Sequence, residues 1–150
     1  MKILFSFAIL LALLAEGCNF PEKKQVKAAT PAAPFDLVGT EWTLADLAGT
    51  PVIANSKASI AFPEAGRVAG NGSCNRFTGS VTIVGDKITF GPLASTRMAC
   101  MEGSVSTQED AYFAALAAVN RYEAHDSELL IYAAGYAKPL RFTRPAGAPK

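Results

Sequence analysis

From Thr40 onward, apolar side chains return at every second position, in short runs broken by glycine and proline. TEWTLADL, residues 40–47, places Trp42 and Leu44 on one side and breaks step before Leu47, which marks a strand with one buried face. Ala48-Gly49-Thr50-Pro51 is a turn. SIAF (59–62) is a short strand, and Pro63-Glu64-Ala65-Gly66 turns the chain into RVAG. SVTIV (80–84), Gly85-Asp86 and KITF (87–90) form a hairpin that Gly91-Pro92 ends. LASTRMAC (93–100) reads as a further strand, and ELLIYA (128–133) and PLRFT (139–143) as two more, joined across Gly135.

The period changes once. In STQEDAYFAALAAVNRY, residues 106–122, one helical face carries Tyr112, Phe113, Leu116, Ala117 and Val119 or Asn120. Ser106 and Glu109 stand at capping-box spacing, and Asp110 adds negative charge to the first turn. The spacing predicts a helix over 106–122 whose apolar stripe packs on the core. Seven or eight short strands with one late helix predict a mainly β (α+β) domain. Its form is a small antiparallel β-barrel or half-barrel with one α-helix packed on it. Closing the sheet hides its edges. No internal repeat is visible.

Upstream of this domain the composition is different. Residues 3–15, ILFSFAILLALLA, form an apolar run behind Lys2 that is too short for a membrane-spanning helix. With the small residues that follow, it reads as an export signal over 1–17, a buried N-terminal helix being the alternative. LAEGC (14–18) resembles a lipobox, with Ala15 where a large aliphatic residue is usual and Glu16 in an unusual place. Ala15-Glu16-Gly17 also fits ordinary signal cleavage, so both readings cut after Gly17 and differ in whether Cys18 carries lipid. A lipidated Cys18 is the favoured reading, making the membrane a partner. Asn19 is not the aspartate linked to inner-membrane retention, so the expected place is the periplasmic face of the outer membrane, or the soluble periplasm without lipid. Residues 18–36, rich in proline, lysine and alanine, read as a flexible tether, 37–143 as the folded domain, and 144–150 as a fraying tail.

Charge excludes one function class. Among 150 residues the formal net charge is +1, so there is no electrostatic footprint for nucleic acid. Candidate chemistry concentrates in GNGSCNRFTG, residues 70–79. A Walker-type loop needs Lys-Ser or Lys-Thr before a helix, and a dinucleotide fingerprint needs a strand-to-helix turn; this stretch leads into a strand. A nucleophilic Cys74 would need a neighbouring base, and His125, the single histidine, sits in a polar turn. Glu109-Asp110 is accounted for by the helix start. The reading is therefore no catalytic residue and no cofactor. Cys74 and Cys100 remain once Cys18 is set aside, and two cysteines in an exported domain most simply form a disulfide. A reduced pair is the alternative, and a metal site a weaker one, since zinc takes four ligands.

The same stretch also reads structurally. Gly70, Gly72 and Gly79 permit positive φ and close backbone approach. Arg76 is expected to tie the corner to a neighbouring strand through its planar fork of donors, or to form a small anion site with Arg97.

Gly39, Trp42 and Leu44 in G-x-x-W-x-L, then G-N-G-S-C-N-R-F-T-G, then L-A-S-T-R-M-A-C before a helix with Glu109 and Phe113, follow one another in order. Over residues 37–143 this series resembles the META domain family, which includes heat-shock lipoproteins of the HslJ type. Gly72, Cys74, Asn75, Arg76 and Gly79 match its first signature, and Thr96, Met98, Ala99 and Cys100, with Arg97 inside the block, its second. The resemblance implies a small antiparallel barrel or half-barrel with one helix, often in an envelope lipoprotein. It implies no assigned enzyme activity, and loose links to heat stress, antibiotic tolerance, secretion and motility. The expected function is a monomeric, non-catalytic envelope protein supporting stress or antibiotic tolerance through binding. Two alternatives stand beside it. One is a carrier of an acyl or other hydrophobic ligand between sheet and helix, where Ala114, Ala115, Ala117 and Ala118 would leave room. The other is an inhibitor of an envelope hydrolase acting through residues 101–106.

Overall fold

In the computed structural model, residues 35–144 are described; the expected signal peptide, Cys18, most of the tether and the tail after Arg144 lie outside them. The chain forms β1 (Thr40–Leu47), β2 (Thr50–Pro51), β3 (Ser59–Phe62), β4 (Arg67–Asn71), β5 (Arg76–Val84), β6 (Lys87–Phe90) and β7 (Ala94–Ser95). Helix α1 (Gly103–Ala117) follows, then β8 (Val119–Ala124), β9 (Glu128–Ala133) and β10 (Leu140–Thr143). Eight strands hydrogen-bond in the cyclic order β1-β3-β4-β5-β6-β8-β9-β10, and β10 pairs back onto β1 to close an antiparallel barrel. β2 is the return strand of a hairpin on β1. β5 is nine residues long and β6 four, so the first half of β5 pairs with β7 instead. No helix among the described residues is long and apolar enough to cross a membrane.

Strand alternation fills the barrel. Trp42 and Leu44 of β1, Ile60 and Phe62 of β3, Leu129 and Ile131 of β9, and Leu140 and Phe142 of β10 all point into one core. Strand directions divide the molecule into two ends. The chain enters at Phe35 and reaches Arg144 at the end that holds the β3–β4, β5–β6 and β8–β9 turns. The opposite end is covered by α1, whose Tyr112, Ala115 and Leu116 join the core.

The helix departs from its expected bounds at both ends. It begins at Gly103 with Glu102 as N-cap and no side-chain cap, so Ser106 and Glu109 do not form a capping box. It stops at Ala117, and Val119 to Ala124 is a strand. The cause is a β-bulge: the register shifts between Val119 and Arg121, so Val119 and Tyr122 both face inward although they stand three apart. Three-residue spacing of buried apolar positions is a helical signature, and the bulge reproduces it within a strand. LASTRMAC yields a strand at Ala94–Ser95 alone.

The folded unit also runs past its expected limits. Tyr122 donates its hydroxyl to the Phe35 carbonyl at 3.1 Å, and Phe35 meets Trp42 edge-on at 6.1 Å. The Arg144 guanidinium lies 4.4 Å above the Trp42 ring, and its Nε donates to the Asp126 carbonyl at 2.8 Å. Arg144 therefore belongs to the packed end of the barrel and not to a fraying tail.

Tyr112 is fully buried, and burial pushes its phenol pKa well up. Its hydroxyl donates to the Ser59 carbonyl at 3.2 Å. The raised folded-state value means that the contribution to stability is complete below the unfolded pKa of about 10 and is lost as pH rises beyond it. Unfolding free energies from denaturant titrations between pH 8 and 11 should fall as pH passes about 10, by up to about 1.4 kcal/mol per pH unit for this one group. In Tyr112→Phe that share of the slope should vanish; an unchanged slope would show that another group controls alkaline unfolding.

Candidate functional site at the helix-capped end

The GNGSCNRFTG corner lies beneath α1, and the helix holds it through two consecutive side chains. Glu109 is buried, 5 % exposed, and its Oε2 accepts the backbone N–H groups of Cys74 at 3.0 Å and Asn75 at 2.7 Å. Its Oε1 accepts the Asn75 side-chain amide. Gln108 accepts the Ile53 N–H at 2.7 Å and donates to Ser56 Oγ at 2.8 Å and Ser73 Oγ at 3.2 Å. One helical turn thus fixes both the 53–57 loop and the 72–75 corner. Buried polar groups of this kind are tolerated because each is satisfied.

Asn75 joins the two signature blocks. Its Oδ1 accepts Thr96 Oγ1 at 2.9 Å and Met98 N–H at 2.8 Å, while its Nδ2 faces Glu109 and the Met98 carbonyl. Thr96 Oγ1 also accepts the Arg76 N–H at 3.1 Å, and Thr96 N–H returns to the Arg76 carbonyl. Segment 96–100 is consequently held by side chains in place of a strand ladder. Cys74 and Cys100 are disulfide-bonded, with Cα atoms 5.9 Å apart, and close a loop of 26 residues. A loop of that length adds about 3 kcal/mol in the chain-entropy model.

The glycines act by proximity. Gly72 keeps an ordinary φ, but a Cβ there would collide with the Glu109 carboxylate, and one at Gly70 would collide with the Ser59 carbonyl and the Phe77 ring. The positive φ of the corner falls on Ser73, at 101°, whose N–H is held by Asn71 Oδ1. Gly79 lies against Leu93.

Other expected site residues are not drawn in. Trp42 sits in the core toward the opposite end. The Met98 side chain is 60 % exposed, and only its backbone serves the corner. Arg76 is exposed, and among the described residues its guanidinium makes no hydrogen bond or ion pair. It lines a shallow groove on the outer sheet with Lys57 and Glu41. The expected tie from Arg76 to the sheet is therefore made by its backbone. Arg97 is also exposed and shares no partner with Arg76 among the described residues. Arg76→Lys should accordingly melt within about 0.5 kcal/mol of wild type. A loss of 1–2 kcal/mol on thermal denaturation would restore the side-chain tie. Sequence reasoning missed Gln108 and gave Glu109 the role of a cap; the i, i+1 pair of polar residues just before Tyr112 on the apolar stripe was the available signal.

Two open apolar grooves flank the helix. One, of about 560 Å³, runs between the β1–β2 hairpin and α1 and is lined by Leu47, Pro51, Ile53, Ala111 and Tyr136, with Gln108 at its edge. The other, of about 450 Å³, lies between Phe90, Pro92, Leu93, Phe113 and Ala117. The core itself is filled: Trp42, Phe62, Tyr112 and Phe142 are essentially inaccessible. Ala115 is buried in that core, Ala114 faces outward, Ala118 is half-buried and Ala117 lines the second groove, so the space beside the helix lies in the surface grooves and not inside the barrel.

A search of the curated proteins gives no match. Two solved structures share the fold. An NMR structure of a protein from Burkholderia xenovorans aligns with a TM-score of 0.60 and 25 % identity over 83 % of this chain and 98 % of that one. A second NMR structure aligns with a TM-score of 0.57 and 21 % identity over 73 % of this chain and 92 % of that one. The META domain model matches residues 35–146, which covers every strand, the helix and both halves of the disulfide-locked corner, and the chain belongs to the META domain family.

Proposed function

We propose that the chain is a non-catalytic (lipo)protein of the bacterial cell envelope. In this reading it binds an apolar group in the groove between the β1–β2 hairpin and α1, and supports stress or antibiotic tolerance by doing so. The observation that carries the reading is the groove itself, an open apolar channel of about 560 Å³ beside a core with no room for a ligand. Sites of this size and lining suit small apolar ligands. The carrier alternative, expected between sheet and helix, is taken here to use this surface groove. Chain direction supports the arrangement. The polypeptide enters at the end opposite α1, and the sixteen residues from Asn19 to Pro34 span at most about 55 Å. A lipid on Cys18 would tether the domain through that end of its chain. The inhibitor reading keeps one support: Met101 is fully exposed on the loop before α1.

Native mass spectrometry of protein drawn from its own membrane in mild detergent tests this reading. The expected result is an acyl mass on Cys18 and a retained small apolar ligand. Ala111→Trp, on the exposed side of α1, should fill the groove and abolish retention without lowering the melting temperature. Retention that survives Ala111→Trp would reject the groove, and an unmodified Cys18 would reject the anchor.

A further inference from the structure

Beside the disulfide stands a buried carboxylate with no cationic partner. Glu109 takes part in no ion pair among the described residues. Its Oε1 lies 4.0 Å from Cys100 Sγ, and its Oε2 receives the Cys74 N–H. The Met98 carbonyl oxygen is 3.9 Å from each of the two sulfurs. Ligand atoms of Cys74, Cys100 and Glu109 all fall within 4.8 Å of one another. We propose that the reduced form of this corner is a metal site: Cys74 and Cys100 as thiolates and Glu109 as carboxylate bind one divalent ion of the zinc class, with the Met98 carbonyl as fourth ligand.

The chemistry is balanced by a dithiol reductant. Two electrons and two protons pass to the Cys74–Cys100 bond, the reductant leaves as its own disulfide, and metal binding then releases the two thiol protons. A tetrahedral zinc ion with bonds of about 2.0–2.3 Å spans ligand–ligand edges of about 3.3–3.8 Å. The sulfur–oxygen separations of 3.9 Å from Met98 to each sulfur and 4.0 Å from Glu109 to Cys100 are slightly longer than those edges, and the two bonded sulfurs must draw apart. Cys100 is half-buried on the otherwise exposed segment 96–102, where Asn75 holds Thr96 and Met98 but not Cys100 through its Oδ1. Two thiolates select a soft or borderline ion over magnesium or calcium. The outer shell is already in place, since the Asn75 amide and two backbone N–H groups orient the carboxylate. The sequence hid this set because only two of its members are cysteines and Glu109 lies 35 residues from Cys74.

The test uses the full chain in detergent, reduced with a phosphine that does not chelate strongly, and cobalt(II) as the probe. Wild type should stay folded by circular dichroism and bind one cobalt per chain. Thiolate charge-transfer and tetrahedral d–d absorption should appear, and zinc should displace both. The oxidised chain should show neither band. Glu109→Gln should keep the charge-transfer band and weaken affinity by about tenfold or more. Cys100→Ser should lose most of that band while remaining folded. Three results would each overturn the proposal: loss of the fold on reduction, a reduced wild type without the charge-transfer band, or Cys100→Ser binding cobalt as wild type does. If Glu109→Gln fails to fold, the wild-type and Cys100→Ser spectra still decide the matter.

Discussion

Trp42→Ala should lower stability by about 3–5 kcal/mol, the range for removing a fully buried aromatic side chain. Three losses converge at this residue. The indole is wholly buried, so its removal leaves a large hole in a core that Phe62, Tyr112 and Phe142 cannot refill. Its Nε1 donates to Thr40 Oγ1 at 2.8 Å, which in turn donates to the Leu37 carbonyl at 2.6 Å, so the chain entering β1 loses its anchor. The Arg144 guanidinium, 4.4 Å above the ring, loses the aromatic face that stabilises it, and its Nη1 is already buried without a hydrogen-bond partner among the described residues. Urea denaturation followed by circular dichroism measures the effect. Trp42→Phe should recover part of it, because a ring remains beneath Arg144 while the Thr40 bond does not. A loss below about 1.5 kcal/mol in Trp42→Ala would show that the entry end of the barrel can collapse around the gap.

Much of this architecture was readable from period alone. Trp42, Leu44, Ile60, Phe62, Ile88, Phe90, Leu129 and Ile131 stand at every second position of their strands, and each faces the core as alternation requires. Closure of the barrel was not readable, because it depends on Thr43 meeting Thr143 across a hundred residues. The end of α1 was misread because a bulge at Val119–Arg121 gives a strand the spacing of a helix. The disulfide followed from cysteine arithmetic. The rest of the corner did not, because a side chain that serves distant backbone amides leaves no local trace. Glu109 looked like a capping residue for the same reason that makes it useful: it is near a helix start and short of solvent. Arg76 looked structural by company, yet its side chain points away from the corner that its backbone completes.

Glu109→Ala should cost about as much as Trp42→Ala, although it removes only a few atoms. Three donors lose their acceptor together: the Cys74 and Asn75 backbone N–H groups and the Asn75 amide. A buried donor left without a partner costs about 1–3 kcal/mol, and bonds to a charged acceptor lie toward the upper end. Water can reach part of the corner, since Cys74 is only half-buried, so about 3–5 kcal/mol is the expected total. Glu109→Gln separates shape from charge. The new side chain can still offer a carbonyl to the two backbone groups, but its amide then faces the Asn75 amide, donor against donor. Asn75 cannot turn over to relieve this, because its Oδ1 already accepts Thr96 Oγ1 and Met98 N–H. The glutamine variant should therefore lose about half of the alanine effect, and amide exchange should quicken first at Cys74, Asn75 and Met98. A glutamine variant that melts like wild type, with protection at those three amides intact, would mean that the corner is held by the disulfide alone and that the helix merely rests on it.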